Sequence, residues 1–174
     1  MSFPFKIHPQ TDDEYYMCEA LQEAWKAFEE GEVPVGAVLV KDKRVIARGY
    51  NRVEGLKDAT AHAEMLCLKA GEQAVDNWRL ADTTLYCTVE PCSMCAGAML
   101  LTRTPVLVWG APDVRHGANG SWIDLFKPPH PTHALEVRRG ILQEFSAQLL
   151  REFFSLQRKK KALQKCSQGW CQPC

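Results

Sequence analysis

The chain has 174 residues, 46% of them hydrophobic, with 21 Lys plus Arg balanced by 21 Asp plus Glu. That length supports one domain with its own core and no need of disulfide staples, and nothing approaches the roughly 18 consecutive apolar residues of a membrane span. Zero net charge hides an asymmetry. Residues 1–90 carry 10 Lys and Arg against 16 Asp and Glu, whereas residues 91–174 carry 11 against 5. A polyanionic partner is therefore not excluded, although a solvated helix face and a charged tail account for the same counts.

Thr11-Asp12-Asp13-Glu14 forms a capping-box pattern, with Thr at the N-cap and Glu three positions on. The next segment places Met17, Leu21, Ala24, Trp25 and Phe28 at helical spacing and stops near Gly31, which predicts a core-packed helix. Residues 35–40 and 45–49 are predicted strands, joined as a hairpin by Lys41-Asp42-Lys43-Arg44. A loop over 51–61 precedes a helix that opens at His62 and runs to about Ala70. A strand over 84–89 delivers the chain to Pro91, which suits the first turn of another helix. Ala96, Gly97 and Ala98 let that helix pack closely on its neighbours. Residues 106–109 are a further strand. Loop character, punctuated by Gly117, Gly120 and Pro128-Pro129, fills 110–132. A short strand near 135–137 follows. A last helix from about Ile141 is expected to bury Ile141, Leu142, Phe145, Leu149 and Phe153 and to continue into Arg158-Lys159-Lys160-Lys161. This order predicts a single α/β layered domain over 1–165 and a disordered Cys-containing tail over 166–174.

The chemistry concentrates in His62-Ala63-Glu64 and, further on, Pro91-Cys92-Ser93-Met94-Cys95. Zinc takes thiolate sulfur and imidazole nitrogen, and a catalytic zinc keeps three protein ligands and an open fourth position. His62, Cys92 and Cys95 supply such a set, with Glu64 left over to move protons. Two residues separate the cysteines, so on a helix's first turn both thiols share one face, where the helix dipole favours the thiolate. A structural site borrowing Cys87 as fourth ligand is the alternative. It leaves Glu64 without a task and takes Cys87 from a strand where it would pack as a small apolar residue. Eight cysteines without an export pattern in residues 1–10 suit a reducing compartment. The cytoplasm is expected, or an organelle if a transit peptide has been removed.

The HxE and PCxxC elements resemble the signature of zinc-dependent nucleobase deaminases. The likeness extends to residues 32–38, Asn51-Arg52, Ala61, Asn77-Trp78-Arg79-Leu80, residues 90–98 and Gly117-Ala118-Asn119-Gly120-Ser121. Over about residues 12–158 the chain resembles the bacterial and organellar tRNA adenosine deaminases. That resemblance implies a cytidine-deaminase-like α/β/α fold with a central mixed sheet, one zinc ion per subunit, and a homodimer. It also implies conversion of adenosine to inosine at the wobble position of an arginine tRNA, with the anticodon stem-loop as partner and no membrane involvement.

By the same resemblance Glu64 is the acid and base, Asn51 hydrogen-bonds the flipped nucleotide, and the backbone at Ala63 helps hold the base. Glu32, Pro34 and Val35 shape the base pocket, and Asp113 lies near the substrate sugar. Read alone, Asn51 is a turn residue, Glu32, Pro34 and Val35 a hairpin entry, and Asp113 a loop aspartate. Phe153 and Phe154 offer a stacking surface to anticodon bases or serve as core; one facing in and one out is expected. Arg158 and the lysines after it meet phosphates or simply form a solvated run. Ala59 stands where bacterial members commonly have Pro, and Pro112 where they often have Arg, which removes a phosphate contact. Cys166, Cys171 and Cys174 are foreign to the pattern and read as spare thiols rather than a second metal or redox cluster. Two rival functions share the motif: a free guanine or cytosine deaminase, and a non-catalytic RNA-binding subunit that keeps zinc for folding.

Overall fold

A computed structural model describes residues 3–127, 130, 131 and 133–167. The first helix, α1 (Asp12–Glu30), starts where the capping pattern puts it: Thr11 Oγ1 accepts the Glu14 N–H at 3.2 Å. The Glu14 carboxylate also reaches back, but to the N–H of Gln10 at 2.6 Å rather than to that of Thr11. Gly31, at φ 81°, caps the other end. Strands β1 (Gly36–Lys41) and β2 (Arg44–Tyr50) form the expected hairpin. Asp42 and Lys43 both take positive φ, 49° and 59°, as a two-residue primed turn requires.

The loop after β2 contains a four-residue helix, α2 (Val53–Leu56), that the sequence reading missed. It is too short to show a period, and its first turn is held from outside, by Glu32. The helix after the first metal motif, α3 (Ala63–Val75), also outruns its expected end at Ala70. Gly71 sits inside it because a Cβ there would collide with Leu39 Cδ2 of β1. The remaining elements are β3 (Thr83–Val89), α4 (Ser93–Leu101), β4 (Val106–Ala111), β5 (Glu136–Arg139) and α5 (Gln143–Ser167). Helix α5 begins after Gly140 and Leu142 turn the chain at positive φ, so Ile141 and Leu142 precede it and are half-buried against the α1 face of the sheet. It extends two residues past the expected domain end at 165 and takes in Cys166. Pro128, Pro129, Cys171 and Cys174 lie outside the described residues.

The sheet has the order β2-β1-β3-β4-β5. Pairings β2-β1 and β1-β3 are antiparallel, and β3-β4 and β4-β5 are parallel. Both faces are covered, which explains why β1 is apolar at successive positions rather than at alternate ones. Ala37 and Leu39 face α3 and α4 together with Leu85, Cys87, Leu107 and Trp109. Val38 and Val40 face α1 with Tyr86 and Val108. Leu39, Leu85 and Leu107 are fully buried, each stabilising the layer by about 1.5–3 kcal/mol relative to exposure. Among the described residues no helix is long and apolar enough to cross a membrane.

Close approach of α3 to β2 brings its first turn over the sheet edge. A Cβ on Gly49 would meet the Ala63 carbonyl oxygen and stand 2.7 Å from Cys67 N. At this edge β3 and β4 end and β1 begins. It is where open sheets with parallel strands place their ligands.

Candidate metal centre and active site

His62 is the N-cap residue of α3 and Cys92 that of α4, with Cys95 in the first turn of α4. Neither side chain is used as a helix cap, and the two face each other. His62 Nδ1 lies 3.6 Å from each sulfur, and the two sulfurs lie 3.6 Å apart. A tetrahedral zinc with bonds of about 2.3 Å to sulfur and about 2.05 Å to nitrogen sets ligand separations of roughly 3.8 Å (S···S) and 3.6 Å (S···N). The three donors therefore fit zinc. Cys87 is not among them: it is buried on β3 between Ala37 and Trp109 of the flanking strands. Among the described residues no other group of His, Cys, Asp and Glu approaches a metal-binding cluster.

The electrostatics agree. The Cys92 thiol is pulled down to about 4, chiefly because the Cys95 thiol donates to it, with His62 adding to the effect. The bond to Cys92 likewise raises His62. Cys95 holds the proton of the pair and is raised by that and by its burial. Glu64, second residue of α3, is 4% exposed. Burial pushes its carboxyl up to about 7, against weaker pulls from its own N–H, His62 and the Cys95 thiol. A carboxyl with that environment holds and releases a proton near neutrality.

The residues expected on the substrate side gather at the same sheet edge. Asn51 follows β2 directly, is 7% exposed, and is pinned by its N–H to the Val35 carbonyl at 2.9 Å. The next residue, Arg52, donates to the Ala61 carbonyl at 3.0 Å, which draws Asn51 against the His62 segment. Glu32 is buried, and its carboxylate is turned to the protein: it accepts from Asn51 Nδ2 at 3.3 Å and from the N–H groups of Glu54 and Gly55 at 3.2 and 2.6 Å. It orients Asn51 and nucleates α2. Pro34 is buried and Val35 half-buried at the entry to β1. Ala63 is fully buried, and its N–H is among the first-turn donors for which a helix supplies no acceptor.

Asp113 follows β4 and caps its own turn, accepting from the N–H groups of Arg115 and His116 at 3.0 and 3.2 Å. Of the two aromatics expected at a stacking surface or in the core, Phe153 is the inward one, 6% exposed and edge-on to Phe28 with ring centroids 5.8 Å apart, so it leaves the candidate stacking surface, whereas Phe154 is 44% exposed. Phe28 stands in the last turn of α1, so α5 passes the edge where β1 begins. Arg158 is exposed one turn beyond Phe154. Glu90 was missed altogether. Its buried carboxylate binds the loop after β4, with partners more than 20 residues away that no local pattern announces.

Residues 10–111 match the family described as the cytidine and deoxycytidylate deaminase zinc-binding region. The chloroplastic tRNA(adenine(34)) deaminase of Arabidopsis thaliana is 55% identical in an alignment of 171 positions that covers 89% of this chain and only 13% of that protein. The tRNA-specific adenosine deaminase of Bacillus subtilis (strain 168) is 46% identical over 156 residues, covering 89% of this chain and 97% of its own length. A structure solved in studies of A-to-I editing by tRNA:A34 deaminases at the wobble position of transfer RNA is 44% identical, with a TM-score of 0.75 over 78% of this chain and 99% of that one.

Proposed function

Since the chain belongs to the zinc-binding deaminase family in the branch of the tRNA-specific adenosine deaminases, we propose that it deaminates adenosine to inosine at the wobble position of a transfer RNA, an arginine tRNA being the expected substrate. The observation that carries this reading is Glu64, a buried carboxyl beside a three-ligand metal set with no structural ion pair among the described residues. A non-catalytic subunit would have no use for it.

Zinc held by His62, Cys92 and Cys95 would activate water for attack on C6 of the adenine. Glu64 takes the proton of that water, delivers it to the ring nitrogen, and assists departure of the amino group as ammonia, so that adenosine and water give inosine and ammonia. Asn51 hydrogen-bonds the flipped nucleotide in the orientation that Glu32 imposes on its amide. Phe154 stacks on anticodon bases, and Arg158 with the three lysines after it meets phosphates, which makes affinity fall with salt.

The test is inosine formation by zinc-loaded protein on an arginine tRNA anticodon stem-loop. Inosine at the wobble position is the expected product. Deamination of free guanine or cytosine, with none on the stem-loop, would replace this reading by that of a free-base deaminase.

The homodimer is part of the proposal. Helix α4 leaves Ser93 and Leu101 exposed, Leu101 at 71%, and a Cβ on Gly97 would meet nothing within 4 Å. This is the uncovered face of an apolar helix beside the metal, and a second copy is its proposed cover. Sedimentation at twice the 19.6 kDa chain mass is expected, and a monomer at micromolar concentration would refute it. The family includes a chloroplastic member. For this chain the proposed compartment is the cytoplasm, where its free Cys18, Cys67 and Cys87 stay reduced. An exclusively organellar signal from the tagged full-length protein would overturn that.

A further inference from the structure

We propose that Glu90 is a positioning residue for the metal turn: it ties the loop over 113–121 to the strand end that carries Cys92, so that loop order and zinc retention depend on each other. This rests on the metal reading of His62, Cys92 and Cys95 and not on the RNA substrate.

Glu90 follows β3 and stands two residues before Cys92, 2% exposed. Oε1 accepts the N–H groups of Asn119 at 2.8 Å and Ser121 at 3.2 Å. Oε2 accepts the Asp113 N–H at 3.2 Å and the Ser121 hydroxyl. No Lys or Arg among the described residues pairs with it, in contrast to the equally buried Glu23, which is paired with Lys26 and Arg48. The negative charge is spent on loop donors instead, a use that buried carboxylates serve well because charge-assisted bonds to N–H are strong.

The loop returns against the metal turn itself. Ala118 N donates to the Pro91 carbonyl at 2.8 Å, and Gly117 forms an antiparallel bridge with Cys92. A Cβ on Gly117 would overlap the Glu90 carboxyl group, so the loop backbone lies directly on it. Trp109 Nε1 donates to Asn119 Oδ1 at 2.9 Å and closes the far side. Groups that orient ligands from behind are typically worth about 10- to 100-fold in metal affinity.

Glu90→Gln separates positioning from bulk. An amide nitrogen at the Oε1 site would oppose two N–H donors, and at the Oε2 site it would oppose the Asp113 N–H while the Ser121 hydroxyl turns to accept. The second arrangement is the better one. Amide exchange at Asp113 should therefore rise about tenfold, with exchange at Asn119 changing less, and zinc transfer from the loaded protein to excess chelator should quicken about tenfold. Glu90→Ala should release Asn119 and Ser121 as well. Glu23→Gln is the control: it weakens the pairing of a buried α1 carboxylate with the partly exposed Lys26 and Arg48, and lowers thermal stability without speeding zinc transfer. Zinc transfer from Glu90→Gln at the wild-type rate, or equal acceleration in Glu23→Gln, would overturn the proposal. A wild-type protein that binds no zinc would instead overturn the metal reading beneath it.

Discussion

Replacing Glu64 by alanine should leave the zinc content of the purified protein unchanged and lower deamination by roughly a thousandfold, within the range attributed to a positioned acid or base. The reasoning is positional. Glu64 lies in the first turn of α3, two residues after His62, and is not one of the three donors that enclose the metal position. On the proposed mechanism, its removal takes away the proton carrier and no ligand. Burial holds its carboxyl near neutrality, where both taking and giving a proton are inexpensive. Single-turnover inosine formation beside a zinc assay checks this. Near-normal turnover from a zinc-loaded Glu64→Ala protein would remove the residue from the mechanism, and loss of zinc would make it a ligand or a support for one.

Cys95→Ala should show the opposite pattern, with zinc lost first and activity lost with it. Cys95 is fully buried, its sulfur 3.6 Å from both Cys92 Sγ and His62 Nδ1. Two remaining donors do not complete a zinc site of this kind. A metal present at about a thousand times its Kd contributes about 4 kcal/mol to stability, which for a domain of this size is a Tm difference on the order of 10 °C. The wild-type Tm should rise by that much with added zinc, and the Cys95→Ala Tm should not respond. Cys87→Ala is the informative companion. Cys87 packs on β3 outside the donor set, so this variant should keep its zinc at a cost of about 1 kcal/mol in lost packing. If Cys87→Ala lost zinc instead, the site would be a closed four-ligand structural one.

The metal set was legible in the chain because its geometry is local. A Pro-Cys-x-x-Cys run at a strand-to-helix junction needs only one helical turn to bring its thiols together, and the residue types name the metal. The start and stop of α1 were legible for the same reason, since Thr11, Glu14 and Gly31 act within one turn of themselves. Where a single residue has two uses, the linear pattern misled. The helix bearing His62 runs five residues past its expected end because Gly71 serves contact with Leu39. Helix α2 escaped because Glu32, about twenty residues earlier, supplies what holds it.

By itself, then, the sequence determined the metal-donor set, the carboxyl beside it, the layered fold class and the resemblance to adenosine deaminases acting on tRNA, all of which depend on residue type and short spacing. Only the tertiary structure decided that Phe153 turns inward against Phe28 while Phe154 stays out, because the phase of an amphipathic helix is set by the surface it packs on. It also decided that Glu32 and Glu90 face loops rather than solvent or cations. A carboxylate's partners are chosen by which buried N–H groups the fold leaves without an acceptor, and those groups meet it only when strands far apart in the chain lie side by side.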